Sequence, residues 1–243
     1  MTNNLHQPAH AFFAAGAKRG DDLMISTELV NVRDKTQVWG GKYQRPITET
    51  QTVPEEISLA ISEQLRIQLT SAQERQLTKR VTQNPQAYQL YLNGLLYFRK
   101  GGSENVTRGV EYFNQAVALD PNFALAWAAI GNAYFGFAGT GLIDPKESLP
   151  KAKAAAQRAL AVDETLAEAH SVLAGIKQDE WDWAEAERAH KRAIELNPNL
   201  ADAHHRYARY LSVMGRSGEA LTAVKRAQEL DRRLGQHLAD LRK

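Results

Sequence analysis

Four stretches, AVALDPN (Ala116–Asn122), ALAVDET (Ala159–Thr165), AIELNPN (Ala193–Asn199) and AQELDRR (Ala227–Arg233), are variants of one phrase. Their leading alanines stand 43, 34 and 34 residues apart. A fixed period of this size marks stacked supersecondary units, each too small to bury its own apolar face. Between the phrases, small residues recur at fixed offsets (Gly131, Ala174 and Ala208, then Ala186 and Ala220) among larger ones such as Trp127, Ile130, Tyr134 and Tyr207. Small residues let two antiparallel helices cross closely while large ones fill the space around the crossing. Pro121 and Pro198, which lack a backbone N–H, end one helix and open the next unit.

Trp127, Ile130, Gly131 and Tyr134 reproduce the pattern W-x2-L-G-x2-Y, and with the 34-residue period the segment resembles the tetratricopeptide repeat (TPR). The resemblance implies a mainly α chain: a TPR α-solenoid of four helix-turn-helix repeats over residues 84–231. A capping helix over 232–243 follows, with Leu234, Leu238 and Leu241 on its inner face. His170 and His204 fall where Trp127 stands in its repeat, and His190 at the aromatic place of a second helix, so all three read as packed residues. In the first repeat Leu90, Gly94, Tyr97, Gly109, Phe113 and Ala116 keep register if RKGGSEN lengthens the turn by about three residues. The nine extra residues of the second repeat fall near Gly136–Pro150, whose three glycines and two prolines predict a long inter-helix loop. Trp127→Ala is expected to loosen the array more than any single substitution in the groove.

Composition narrows the function classes. At 243 residues, 43% hydrophobic and 24% charged, the chain has the make-up of a folded protein. A formal charge of +2 is far from the concentrated basic charge that a phosphate backbone requires, so nucleic acid is not an expected partner. No cysteine is present, which removes thiolate metal sites and cysteine nucleophiles. No run reaches the roughly 18 apolar residues of a membrane span, and the apolar cluster AFFAAGA (Ala11–Ala17) has no Lys or Arg before it to make a secretion signal. The expectation is a soluble chain, with cytoplasm favoured over periplasm.

Upstream of residue 84 the periodicity changes. Leu23–Val32 (LMISTELVNV) and Gln37–Tyr43 (QVWGGKY) read as a β-hairpin around a short polar turn. Thr52 with Glu55 forms a capping box ahead of an amphipathic stripe, Ile57, Ile61, Leu65 and Leu69, and Ser71 with Glu74 forms a second one. Residues 1–20 read as a flexible segment. The stretch GDDLMISTELVNVRDKTQVWGGKYQRP, the helix after it and the phrase DWDWAEAERAHKRAIELNPNLADAHHRYARYLSVMGRSGEAL together resemble bacterial signalling proteins in which a TolB-like domain precedes TPRs. In those proteins the unit lies behind a serine/threonine kinase, a nucleotide cyclase or a CadC-type winged-helix domain. The resemblance implies that residues 21–83 are a partial TolB-like domain and that the chain is a fragment or a shortened reading frame of such a protein, without the output domain. An open edge bearing Ile25, Leu29, Val30 and Val38 would then favour a homodimer through residues 20–70.

No nucleophile elbow, phosphate-binding loop or kinase motif occurs, and neither His204–His205 nor the acids around Asp182 have metal-ligand spacing, so no catalysis, metal or cofactor is expected. The TPR resemblance instead implies a concave face lined by the first helix of each repeat. On this register that face carries Tyr91, Phe98, Asn132, Phe135, Gln178, His205 and Arg209, with Glu168, Ser171 and Asp202 between them. Asn132 would bond a peptide backbone and Arg209 would meet an acidic group. Chaperone-type TPRs clamp a carboxylate with Lys and Asn where this chain has Tyr91 and Leu95, so the implied role is a general scaffold for a protein or extended peptide. The alternative is the regulatory arm of a signalling protein.

Overall fold

A computed structural model describes residues 10–19, 22–31, 36–46, 53–64 and 81–231. They fall in two units, Met1–Gln89 and Leu90–Lys243, each described by itself.

The first unit is an antiparallel meander of β1 (His10–Arg19), β2 (Asp22–Asn31) and β3 (Gln37–Pro46), in the order β1-β2-β3, followed by helix α1 (Val53–Gln64). The hairpin read from sequence is β2–β3, in the register Ile25↔Tyr43, Thr27↔Gly41 and Leu29↔Trp39. Past Leu29 the register shifts, leaving Val38 as a bulge residue before Val30↔Gln37. On one face of β2 Thr27 and Leu29 are buried, whereas Met24, Ser26 and Glu28 are exposed, the period of two that a one-sided sheet imposes. Gly41 lets two aromatics converge: a Cβ there would stand 2.9 Å from both the Trp39 and Tyr43 rings. Val53 of α1 is 1% exposed, and Arg45 of β3 pairs with Glu56 of α1 at 2.9 Å.

Two expectations change here. Residues 10–19, expected to be flexible, form β1 and pair along the whole of β2, from His10↔Asn31 to Arg19↔Asp22. The open β2 edge inferred for a homodimer is therefore filled by the chain's own strand. HAFFAAGAKR lacks both strict alternation and β-branched residues, so its strand character comes from a neighbour and not from local preference. The capping boxes at Thr52 and Ser71, the positions Leu65 and Leu69 and the helix over 232–243 lie outside the described residues.

The helical unit contains four helix pairs: α2 (Pro85–Lys100) with α3 (Ser103–Leu119), α4 (Ala124–Thr140) with α5 (Pro145–Val162), α6 (Ala167–Asp179) with α7 (Trp183–Leu196), and α8 (Ala201–Val213) with α9 (Ser217–Leu230). An α-solenoid of paired helices is what the period predicts. Each pair crosses on its smallest residues. A Cβ on Gly94 would lie 3.0 Å from the Gly109 carbonyl and 2.4 Å from the Phe113 ring, and one on Gly131 would lie 3.1 Å from the Ala152 carbonyl. In the later pairs alanine suffices, with Ala174, Ala186 and Ala208 at most 2% exposed.

The recurring phrase has a physical role. Its Asp or Asn donates its backbone N–H to the carbonyl of the phrase's leading alanine, as in Asp120 to Ala116 (2.9 Å), Asp163 to Ala159 (2.8 Å) and Asn197 to Ala193 (3.0 Å). The same side chain then accepts from the N–H two residues on, Asn122, Thr165 or Asn199, closing an Asx turn that redirects the chain into the next repeat. Across that turn the indole of Trp127 donates to the Pro121 carbonyl at 3.0 Å, and Nε2 of His170 and His204 reach the Glu164 and Pro198 carbonyls, both at 2.9 Å. Since a carbonyl only accepts, each of these histidines donates through Nε2–H and serves as a clasp between repeats.

The long second repeat is built differently from its prediction. Helices α4 and α5 are 17 and 18 residues long, against 13 and 14 in the third repeat, and only Gly141–Asp144 separate them. Four residues in each helix and one in the turn absorb the nine. Pro145 does not break α5 because it sits in the first turn, where no N–H is needed, after the Asp144 cap that accepts from Lys146 N at 2.8 Å. Gly136 and Gly139 are tolerated inside α4. In the first repeat the turn is likewise short, Gly101–Gly102, with both φ positive. The tryptophans of the third turn divide: Trp183 packs on Tyr210, whereas Trp181 is 76% exposed and takes φ 64, the left-handed conformation that Gly141 and Gly215 take in their turns. Trp127 is only partly buried; Phe113, Phe123 and Tyr210, at 2% exposure or less, are the enclosed aromatics.

Three substitutions test this packing by urea denaturation. Gly94→Ala should destabilise by about 1–3 kcal/mol, because its methyl meets Phe113 and a carbonyl. Gly136→Ala, whose Cβ meets nothing within 4 Å, should stabilise by about 0.5–1 kcal/mol. Trp181→Gly should gain about 1 kcal/mol by relieving the left-handed backbone.

Candidate functional site: the concave face of the repeats

First helices α4, α6 and α8 present one side chain after another to a common face. Its centre is a cavity of about 120 Å³ lined by Tyr91, Leu95, Leu125, Ala128, Asn132, Glu168, Ser171, Asp202 and Arg206, among others. The middle helix, α6, carries small residues there, Ser171 and Gly175, so side chains from α4 and α8 meet above it. A Cβ on Gly175 would lie 2.5 Å from the Phe135 ring, which fills that space instead. The Arg206 guanidinium lies over the same ring, 5.1 Å from its centroid, and donates through Nη2 to the Asn132 side-chain oxygen. One arginine thus ties the second repeat to the fourth across the third.

The electrostatics of this face are unusual for a solvated groove. The Arg206 guanidinium is enclosed, and burial pulls its pKa below the ordinary arginine value despite the nearby Asp202 carboxylate. Its Nη1 and the Ser171 hydroxyl are both buried without a hydrogen-bond partner. Burial also pushes the Glu168 carboxyl above its usual range, reinforced by Asp163 and Asp202. Among the described residues Glu168 has no ion-pair partner.

Of the residues placed on this face by register, Tyr91 and Asn132 line the cavity, and Phe135 forms the platform beneath Arg206. Tyr91 also packs on Phe113 and Phe123, with centroids at 5.7 and 5.0 Å. Asn132 is engaged by Arg206 and not simply open to a ligand. Phe98 turns away from the cavity to line a second cleft of about 450 Å³, with Val106, Phe137 and Leu142, at the turn end of the first two pairs. Gln178 and His205 are half-buried and do not line the cavity; Arg209 is exposed and opposes the burial that raises the Asp179 pKa. Arg206 was absent from the register-based set. Its spacing of i, i+4 from Asp202, which puts both on one stripe of α8, is the signal that could have found it. Among the described residues no three His, Asp or Glu side chains gather as a metal site.

Residues 191–222 match the family profile described as tetratricopeptide repeat. A solved TPR protein of Thermus thermophilus, TTC0263, is 20% identical, with a TM-score of 0.51 over 78% of this chain and 97% of that one. The helical unit has the TPR fold. A MamA crystal structure is 21% identical and covers 70% of this chain and 99% of that one, with a TM-score of 0.40. The first TPR of Spaghetti (RPAP3), solved with the HSP90 peptide SRMEEVD, is 18% identical over 54% of this chain and 94% of that one, with a TM-score of 0.41. No curated protein matches the chain.

Behind the TPR groove, His190 is fully buried between the Tyr207 and Tyr210 rings, both at 5.6 Å, and neither ring nitrogen has a hydrogen-bond partner. Burial, reinforced by Arg206 and Arg209, lowers its pKa from 6.5 to about 3. Below pH 6.5 the unfolded chain therefore takes up a proton that the folded one refuses, and folding stability falls as pH falls. The slope from this residue is about 1.4 kcal/mol per pH unit, or about 2 kcal/mol between pH 6.5 and pH 5. Urea midpoints across that range should show the decline, and His190→Leu should flatten most of it while raising the midpoint at pH 5.

Proposed function

We propose that this chain is a non-catalytic interaction scaffold whose concave TPR face takes an extended peptide or a segment of another protein. The observation that carries this reading is the cavity between α4, α6 and α8, where one nitrogen of the Arg206 guanidinium, Nη1, and the Ser171 hydroxyl are buried without partners beside an apolar wall of Tyr91 and Leu125. Fixed polar groups inside an apolar concavity are how a preformed site sets the orientation of a ligand. The histidines that invite a chemical reading are occupied structurally, His170 and His204 as clasps between repeats and His190 in the core.

A second reading, the regulatory or sensory arm of a bacterial signalling kinase, cyclase or transcription regulator, draws on the antiparallel sheet followed by α1 in the first unit. An in-frame kinase, cyclase or winged-helix sequence immediately upstream would support it. A homodimer through residues 20–70 would have to use the outer edge of β1 or β3, since β2 is paired on both sides.

Peptides selected against the immobilised protein from a random library test the scaffold. Arg209→Glu, a change at an exposed residue, should weaken their binding at least about tenfold and leave the thermal midpoint within about 1–2 °C. Tyr91→Ala should weaken it further. Selected peptides indifferent to both changes would place binding elsewhere.

A further inference from the structure

The concave cavity asks for more than one kind of partner atom. On one side stand two groups able to donate, Arg206 Nη1 and the Ser171 hydroxyl, both buried and unsatisfied. On another stands the Glu168 carboxyl, an acceptor with no cation bound to it among the described residues, and Asp202 completes the lining. A ligand has to supply an acceptor to the first pair and a donor to the second within about 120 Å³, the volume of about four liquid water molecules.

Charge decides between the candidate groups. A carboxylate or phosphate would satisfy Arg206 and Ser171 but would lie beside the half-buried Glu168 carboxyl, and the exposed Asp202 carboxylate that also lines the cavity would add to the repulsion. An ammonium or guanidinium would satisfy the two carboxyl groups but would face Arg206, with Arg209 close behind. A neutral group with a carbonyl oxygen and an N–H on one planar unit meets both sides and adds no charge. Leaving either side unmatched loses affinity steeply, because a buried polar group without a partner bears its full desolvation cost.

We propose that this cavity is a receptor for a primary carboxamide, the side chain of a glutamine or asparagine carried by the bound peptide. The carboxamide oxygen accepts from Arg206 Nη1 and Ser171, its NH2 donates to Glu168, and its methylene stem lies along Tyr91 and Leu125. Arg206 is pre-set for this by its bond to Asn132 and its seat on Phe135. The proposal rests on the concave face being the peptide-binding surface.

Three probes of equal size and different head groups test it: propionamide, propionate and n-propylammonium, titrated at pH 7 and constant ionic strength into the full chain with backbone amide NMR as readout. Propionamide should shift the resonances of Ser171, Glu168 and Arg206 saturably, with the other two probes at least about tenfold weaker. Ser171→Ala should weaken propionamide several-fold, and Arg206→Lys, which keeps the charge but loses the planar fork, should weaken it more. Equal or tighter binding of propionate would make the cavity an anion site, tighter n-propylammonium a cation site, and no saturable response to propionamide would leave it without a carboxamide role. Each of these overturns the proposal. Propionamide binding in a protein for which no peptide can be selected would keep the cavity and discard the peptide surface. Selected peptides sensitive to Arg209→Glu but indifferent to replacing their Gln and Asn residues would do the reverse.

Discussion

Two helix backbones brought within a methyl group's width of each other set the geometry of the whole array. Where Gly94 faces the Gly109 carbonyl and Gly131 faces that of Ala152, there is room for little more than hydrogen, and larger side chains are forced to either side. Phe113 lies over Gly94 because the glycine leaves that space, and Phe135 lies over Gly175 for the same reason. Close crossing holds each pair together, and the Asx turn with its Trp or His clasp fixes how one pair follows the next. The concave face inherits its shape from both constraints.

Sequence period exposed most of the helical unit because each landmark is a local necessity. A crossing needs a small residue, a turn needs Asp or Asn, and both recur at the repeat's spacing. What it misread was where extra residues go. Gly136, Gly139 and Pro145 suggested a loop, yet a proline at the start of a helix and glycines on an open face are compatible with helix, and packing against neighbouring turns outweighs the weak local preference. β1 was missed for the opposite reason. AFFAAGA has no strand pattern of its own and becomes a strand through hydrogen bonds to β2.

The concave face was legible only as a register. Tyr91, Asn132 and Phe135 are where the repeat positions put them, but a register says nothing of what two such residues do to each other. Arg206 crosses from the fourth repeat to the second because Ser171 and Gly175 leave the third repeat low. That relation joins residues 74 positions apart, and no period of 34 announces it. The same arginine helps hold the neighbouring His190 neutral, so the groove and the core between the third and fourth repeats share one electrostatic environment.

The second helix pair shows how an array of this kind changes size. Beyond the Gly131–Ala152 crossing both helices run on by four residues, about 6 Å of rise each, and the turn grows by one. Everything on the other side of the crossing keeps the spacing of an ordinary repeat. The pair behaves like a telescoping arm, free to lengthen at its turn end in matched steps of about one helical turn while its base stays clamped. Variation in repeat length can therefore sculpt one rim of the solenoid, and with it the cleft beside Leu142, without disturbing the stacking pitch or the groove on which the rest of the array depends.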